Sequence, residues 1–131
     1  MGDFGIMSTG KGLRTGYQSV TPRIVVSDVA GQVDFLLAVF EASGVVDPDR
    51  PAEIRIGDSR IMVSPAGERD LFPGFLYVYV DDTDATYQRA LDAGAVTLEA
   101  PLDTPYGDRR EMVRDPFGNI LQIAHQLPPP P

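Results

Sequence analysis

The chain has no cysteine and a single histidine among its 131 residues. Without cysteine it forms no disulfide and offers no thiolate to a metal ion. The lone histidine, His125, stands near the end of a predicted strand, which makes a Ser-His-Asp catalytic set implausible. No apolar run approaches the roughly 20 residues of a membrane span. These absences favour a globular fold without a membrane partner.

Positively charged residues are also few. The sequence has 11 lysines and arginines against 19 acidic residues, which gives a net charge of −8. Such a surface repels nucleic acid and favours neutral or cationic partners. We therefore expect no nucleic-acid partner. The opening residues lack the continuous apolar core of a secretory signal, and a cytoplasmic location is expected.

The chain divides into a leader, one domain and a tail. Residues 1–19 are rich in glycine and polar side chains and predict a mobile leader, while 127–131 form a proline-rich tail. Between them, over residues 20–126, a strand-helix-strands pattern occurs twice, with an offset of 54 residues. Module one spans 20–66 and module two spans 73–126. Neither unit can bury its own sheet face, so two copies are expected to curve around a shared cleft.

Glycines and a proline mark the predicted ends of the elements. The first helix is predicted to stop at Gly44 and the second at Gly94. In "DPFG", Pro116 sets the first turn angle and Gly118 takes the left-handed position, so a closing hairpin is predicted.

Four segments resemble the vicinal-oxygen-chelate superfamily, which includes glyoxalases, bleomycin-resistance proteins and extradiol dioxygenases. They are "IVVSD", "IGDSRIMVS", "FLYVYVDDTDATYQRALDAGA" and "YGDRREMVRDPFGNILQIAH". The resemblance implies an α+β fold with two βαβββ modules around a cleft. It also implies a homodimer, in some members with modules exchanged between chains.

The superfamily typically holds a metal at four positions, which fall by spacing on Thr21, Phe75, Gln122 and, approximately, Met62. Threonine, phenylalanine and methionine are not useful ligands for a hard or borderline cation, and one neutral amide oxygen cannot hold it alone. We therefore expect no metal and no cofactor. A register slip of one or two residues would bring an acidic side chain, Glu53 or Glu111, into the cleft, but no histidine with it.

The predicted ligand site is built from aromatic rings with a few polar groups, which suit a planar, partly polar ligand. Arg23 has two interpretations: it binds an anionic group of the ligand, or it pairs with Glu53 across the sheet. Phe75 and Met62 could equally be core. The candidate residues are Arg23, Phe40, Met62, Phe75, Tyr77, Tyr79, Tyr106 and Gln122.

Three functions compete. The favoured hypothesis is a metal-independent binding protein that sequesters an aromatic or cationic natural product, as antibiotic-resistance members do. The second is a metal-free isomerase, cyclase or hydrolase, which requires a cleft carboxylate with a raised pKa. The third is a metal-dependent lyase or dioxygenase. The candidate proton-transfer residues for the second are Glu53, Tyr106, Asp108 and Glu111.

Overall fold

The structure, a computed structural model, describes residues 12–130. The described chain forms two sheets, with strand orders β1-β3-β2 and β4-β7-β6-β5, and one helix for each sheet. The elements are β1 (Arg23–Val26), α1 (Val29–Phe40), β2 (Ala52–Ile56), β3 (Ser59–Pro65), β4 (Phe75–Tyr79), α2 (Thr83–Asp92), β5 (Val96–Asp103), β6 (Asp108–Arg114) and β7 (Ile120–Gln126). Neither helix is long and apolar enough to span a membrane.

The predicted duplication is confirmed by strand pairing. β1 runs parallel to β3 just as β4 runs parallel to β7, and each of these pairs continues into an antiparallel neighbour. Arg23 pairs with Met62 in the first sheet, and Tyr77 pairs with Gln122 in the second. These pairs occupy equivalent positions of the two modules: Arg23 and Tyr77 are separated by the predicted 54 residues, and Met62 and Gln122 by 60. The α+β fold is therefore as expected.

Module one differs from the implied βαβββ pattern, because its outermost strand is reduced to one bridge. Ser43 exchanges two backbone hydrogen bonds with Arg55, at 3.0 and 2.8 Å. This bridge is isolated and does not extend into a ladder of several residues. Pro48 and Pro51 follow in the loop, and a proline cannot donate to a ladder. The first sheet consequently has three strands and the second has four.

The two helices end in different ways. At the end of α2, Gly94 is left-handed (φ 99°), its N–H bonds to Leu91 O, and the Ala95 N–H bonds to Ala90 O. This is a Schellman cap, as predicted. The predicted end of α1 at Gly44 is wrong: the helix stops at Phe40, where Glu41 adopts φ 53°.

Gly44 instead permits a close backbone approach. A Cβ atom there would lie 2.5 Å from Glu53 O, so a side chain would push the segment away from β2 and disrupt the neighbouring bridge.

Apolar side chains of both sheets alternate toward the helices and form the core. The helices also contact each other, and Arg89 Nε on α2 donates to Val39 O on α1 at 3.0 Å. The outer edge of β1 is covered by Phe72, which exchanges two backbone hydrogen bonds with Val25. The largest fully buried apolar side chains are Leu36, Ile54, Leu121, Ile123, Val26, Val39, Val63 and Val113.

A buried polar network joins the modules. Gln32 of α1 is fully buried; its Nε2 donates to Asp115 Oδ2 at 3.1 Å, and its Oε1 accepts from Asn119 Nδ2 at 2.6 Å. Asp115 Oδ1 also accepts the N–H groups of Phe117 and Asn119 within the turn. Asn119 Oδ1 accepts the Gly74 N–H at 2.7 Å. The turn of the closing hairpin is thereby fixed to the helix of the other module.

Part of the predicted leader is packed on the first sheet. Tyr17 is buried, donates a hydrogen bond to Glu53 and lies beneath the guanidinium of Arg60, 5.3 Å from ring centroid to Cζ. Arg60 Nε also donates to Gly16 O at 2.8 Å. Residues 12–19 are thus attached to β2 and β3, while the rest of the predicted leader, 1–11, lies outside the described residues.

Replacing Gln32 by alanine should destabilise the protein by about 2–3 kcal/mol, because it leaves buried groups of Asp115 and Asn119 without their partner. Urea unfolding of the purified variant measures this loss. Gln88→Ala, at an exposed position of α2, is the matched control and should change stability by less than about 0.5 kcal/mol. Equal effects of the two substitutions would contradict the role given to the network.

Candidate ligand-binding site

The face of the second sheet that points away from α2 is open and aromatic. Successive strand residues point to opposite faces, so Phe75, Tyr77 and Tyr79 share this face with Gln122. Phe75 is 68% exposed, Tyr79 64% and Tyr106 61%. An aromatic surface of this kind is typical of a binding site, because monomeric proteins rarely leave large contiguous apolar patches uncovered.

Asp108 is the centre of the polar contacts on this face. It is only 5% exposed, and its Oδ2 accepts hydrogen bonds from the hydroxyls of Tyr77 at 2.6 Å and Tyr79 at 2.8 Å. The rings of these tyrosines lie 5.3 Å apart at 50°. Tyr106 joins them, with its hydroxyl 3.3 Å from that of Tyr77. We call Tyr77, Tyr79, Tyr106 and Asp108 the tyrosine cluster.

The backbone at Asp108 is itself fixed. Thr104 Oγ1 donates to Asp108 O at 2.8 Å and accepts from its N–H at 3.0 Å, which closes the turn that carries Tyr106. Next to the cluster, Arg110 Nη1 donates to the Tyr106 hydroxyl at 2.9 Å, and its Nη2 lies 2.5 Å from Glu99 Oε1. The ring positions are therefore set before any ligand binds.

The tyrosine pKa values follow from these contacts. Burial, and then the hydrogen bond to Asp108, raise the pKa of Tyr77. The hydrogen bond to Asp108, and then burial, raise the pKa of Tyr79. The contact with the Tyr77 hydroxyl, followed by the Arg110 guanidinium, lowers the pKa of Tyr106. Tyr77 and Tyr79 are thus held as neutral phenols that donate to the carboxylate.

Of the eight predicted ligand residues, five lie on or beside this face: Phe75, Tyr77, Tyr79, Tyr106 and Gln122. Arg23 and Met62 lie on the equivalent face of the first sheet. Phe40 is 9% exposed and packs in the core, contrary to its assignment to the site. It reaches only the rim of a depression of about 280 Å³ that it shares with Tyr79.

The expected pairing of Arg23 with Glu53 is wrong. Arg23 Nε donates to Ser64 Oγ at 2.8 Å, whereas Glu53 binds Tyr17 and Arg14. The hydrogen bond from Tyr17, and then the charge of Arg14, lower the pKa of Glu53 although partial desolvation opposes them. Glu53, the expected partner of Arg23, is therefore bound by Arg14 and Tyr17 of the predicted leader.

A cavity of about 520 Å³ lies at Arg23, away from the tyrosine cluster. Loops 46–51 and 65–69 form its walls, and Ser64 lies on its floor. No aromatic side chain lines it, and its three arginines are balanced by three acidic residues. We place the ligand site at the tyrosine cluster because aromatic surface and positioned polar groups coincide there.

The residues at the superfamily's metal positions do not fit a chelated divalent ion. Gln122 provides one amide oxygen, Met62 a thioether, and Phe75 no ligand atom at all. His125 lies on the helix side of the sheet, where its Nδ1 accepts the Thr83 N–H at 2.9 Å. Across residues 12–130, no three histidine, aspartate or glutamate side chains come together in a way that could hold a metal ion.

Glu111 has the deep burial expected of a catalytic acid but lies on the wrong face. It points toward α2, is fully buried, and neither carboxylate oxygen has a hydrogen-bond partner among the described residues. Desolvation raises its pKa to about 8. A carboxyl group in this position cannot exchange a proton with a ligand on the tyrosine cluster.

The sequence analysis missed the central role of Asp108, which it named only as a candidate proton-transfer residue. Arg110 and Glu99 were not identified at all. One signal in the sequence pointed to such a residue: Tyr77 and Tyr79 lie on the same face of a strand, and a tyrosine hydroxyl that is partly buried needs a hydrogen-bond partner. Finding that partner requires the pairing of β6 with β7, which the local pattern does not specify.

Comparison with known proteins identifies the family. The family model of the Glyoxalase/Bleomycin resistance protein/Dioxygenase superfamily matches residues 18–123, and the chain belongs to this superfamily. Two mycobacterial relatives, both uncharacterized, are 34% identical over 127 residues. Mb0911c of Mycobacterium bovis aligns over 83% of this chain and 84% of its own length. Rv0887c of Mycobacterium tuberculosis aligns over 83% and 75%.

Solved structures show the same fold. TioX from Micromonospora sp. ML1 is 24% identical, with a TM-score of 0.66 over 83% of this chain and all of that one. A glyoxalase/bleomycin resistance protein/dioxygenase family enzyme from Burkholderia phytofirmans PsJN is 20% identical, with a TM-score of 0.67 over 80% and 95%. At these identities the likeness concerns the fold alone.

Glu111 should make stability fall as pH rises. Its folded pKa of about 8 lies above the ordinary value of 4.5, so between these values the folded state binds the extra proton. That contribution is complete below about pH 4.5 and is lost toward pH 8, by about 1.4 kcal/mol per pH unit. Glu111→Met should remove this slope in urea unfolding at several pH values.

The exposed acid Glu68 provides the matched control. Glu68→Gln should keep the wild-type slope, because the carboxylate is hydrated in both states. A Glu111→Met profile parallel to that of the wild type would show that Glu111 does not titrate with a raised pKa.

Proposed function

We propose that the protein is a metal-independent small-molecule-binding protein of the antibiotic-resistance type, acting in the cytoplasm. It sequesters an aromatic or cationic natural product on the open face of the second sheet. The observation that carries this proposal is the tyrosine cluster, in which the hydroxyls of Tyr77 and Tyr79 donate to one buried carboxylate and the hydroxyl of Tyr106 contacts that of Tyr77. Rings with fixed hydroxyls provide stacking surface at small entropic cost.

The contacts favour binding over catalysis. Asp108 is already used as the acceptor of two hydroxyls, and Glu53 is held by Tyr17 and Arg14. Glu111, whose pKa is raised, faces the helix. A general acid or base needs both access to the ligand and a pKa suited to proton transfer. Glu111 has the raised pKa but no access to the open face of the sheet.

The open face also supports a homodimer, either with each chain intact or with modules exchanged. Residues 12–130 of one chain leave this face uncovered, and Phe75, Tyr79 and Val96 are all at least 60% exposed on it. A second copy would cover the rings and enclose the ligand between two chains. Apolar surface left in water is unfavourable by about 25 cal/mol per Å².

Sedimentation equilibrium tests the dimer. The wild-type protein should have twice the mass of one chain, and Val96→Asp should shift it toward monomer because a charge replaces an apolar contact. Val45→Asp, at an exposed loop position, is the control and should leave the mass unchanged. A monomeric wild type would rule out the dimer but not the ligand site.

Tyrosine fluorescence tests the binding function. The protein has no tryptophan and five tyrosines, three of which form the cluster, so a ligand stacked there should quench much of the emission. We expect saturable quenching by at least one bleomycin-like or planar polycyclic compound. Tyr79→Ala should weaken that binding by about two- to tenfold, since it removes one aromatic contact.

Two controls accompany the titration. Tyr87→Ala removes the same side chain from the helix side of the sheet, where its hydroxyl contacts Thr97, and should leave affinity unchanged. Addition of EDTA should have no effect on binding. No response to any compound would refute the proposal, and binding that required a transition metal would replace it with a metal-dependent activity.

A further inference from the structure

Resting on the proposed function, we infer that the ligand carries a cationic nitrogen with N–H bonds beside its aromatic plane. Asp108 acts as its counter-charge through the hydroxyls of Tyr77 and Tyr79. This specifies the chemical class of the ligand as an aromatic cation that donates hydrogen bonds.

The first step is the unpaired charge of Asp108. Its Oδ2 accepts from the hydroxyls of Tyr77 and Tyr79, so the side chain acts as a hydrogen-bond acceptor at this face. Within the described chain no arginine forms an ion pair with it. Arg109 pairs with Asp84 and Asp103. A carboxylate that is 95% buried without a cation is costly, and a ligand cation would offset that cost.

The second step concerns the direction of the hydroxyl protons. Tyr79 has one O–H, and it is donated to Asp108 at 2.8 Å. Its remaining lone pairs can only accept, and the hydrogen bond to a carboxylate makes the oxygen a better acceptor. Tyr79 is 64% exposed, so a ligand can approach its side chain. The site therefore favours a ligand that donates.

The third step concerns Arg110, whose charge would repel a cation. Its Nη2 lies 2.5 Å from Glu99 Oε1. Glu99 belongs to β5, the edge strand farthest from β4 in the second sheet. The pair is close to neutral and its contact with the cluster is limited to Tyr106. The rings of Tyr77 and Tyr79 thus remain available for a cation–π contact next to Asp108.

Three acridines of nearly the same shape separate charge from stacking. At neutral pH, 9-aminoacridine is a cation with N–H bonds, 10-methylacridinium is a cation without them, and acridine is neutral. Their affinities are measured by dye fluorescence. The wild-type protein should bind 9-aminoacridine about tenfold more tightly than acridine, with 10-methylacridinium between them.

Three variants test which residues produce the preference for 9-aminoacridine over acridine. Asp108→Asn and Tyr79→Phe should each reduce the tenfold preference to about twofold or less, while acridine affinity changes little because the rings remain. Asp103→Asn makes the same change of charge at an exposed position paired with Arg109, and should keep the preference. Tyr79→Phe provides an independent test if Asp108→Asn does not fold.

The outcomes distinguish the two proposals. If the wild type binds all three dyes equally, or Asp108→Asn and Tyr79→Phe keep the full preference, the inference is overturned and the binding function stands. If no dye binds, both the inference and the assignment of a ligand site to the tyrosine cluster fail. Preference that is lost in Asp108→Asn and Tyr79→Phe but kept in Asp103→Asn supports the inference.

Discussion

The relation between the two modules depends on the buried amide network of Gln32, Asp115 and Asn119. Both modules contribute to one apolar core, but apolar contact is not directional and alone would allow the sheets to slide against each other. Hydrogen bonds between α1 and the turn of the closing hairpin have fixed lengths and directions, and they select one arrangement. The same turn begins β7, which pairs with the strand that carries Tyr77 and Tyr79. Module packing and site geometry are therefore set by one group of side chains.

The duplicated fold was predictable because its signals are local. The strand-helix repeat, the turn at Pro116 and Gly118 and the left-handed Gly94 each depend on a few neighbouring residues. The placement of Arg23 and Met62 on one face of the first sheet, and of Tyr77 and Gln122 on one face of the second, followed from strand alternation and the repeat. The missing strand of module one was also readable, since Pro48 and Pro51 interrupt any ladder there.

The site was predicted only in part, because its polar contacts join residues far apart in sequence. Asp108 meets Tyr77 across 31 residues, and Glu53 meets Tyr17 across 36. A strand pattern shows which face a side chain occupies but not which of several partners it chooses. Arg23 illustrates this: the pattern placed it on the same face as Met62, yet Ser64 rather than Glu53 is its partner.

The attachment of Tyr17 has a consequence for the symmetry of the molecule. A duplicated fold starts with two equivalent concave surfaces, and each could in principle accept a guest. Here Tyr17 of the amino-terminal segment rests on Glu53 and Arg60 of one half, while the described part of that segment leaves the corresponding surface of the other half open. A side chain of the amino-terminal segment thus covers part of the first surface, and the two halves are no longer equivalent. The duplication has therefore produced two faces with different surroundings, and the proposed ligand site belongs to the face that the amino-terminal segment leaves free.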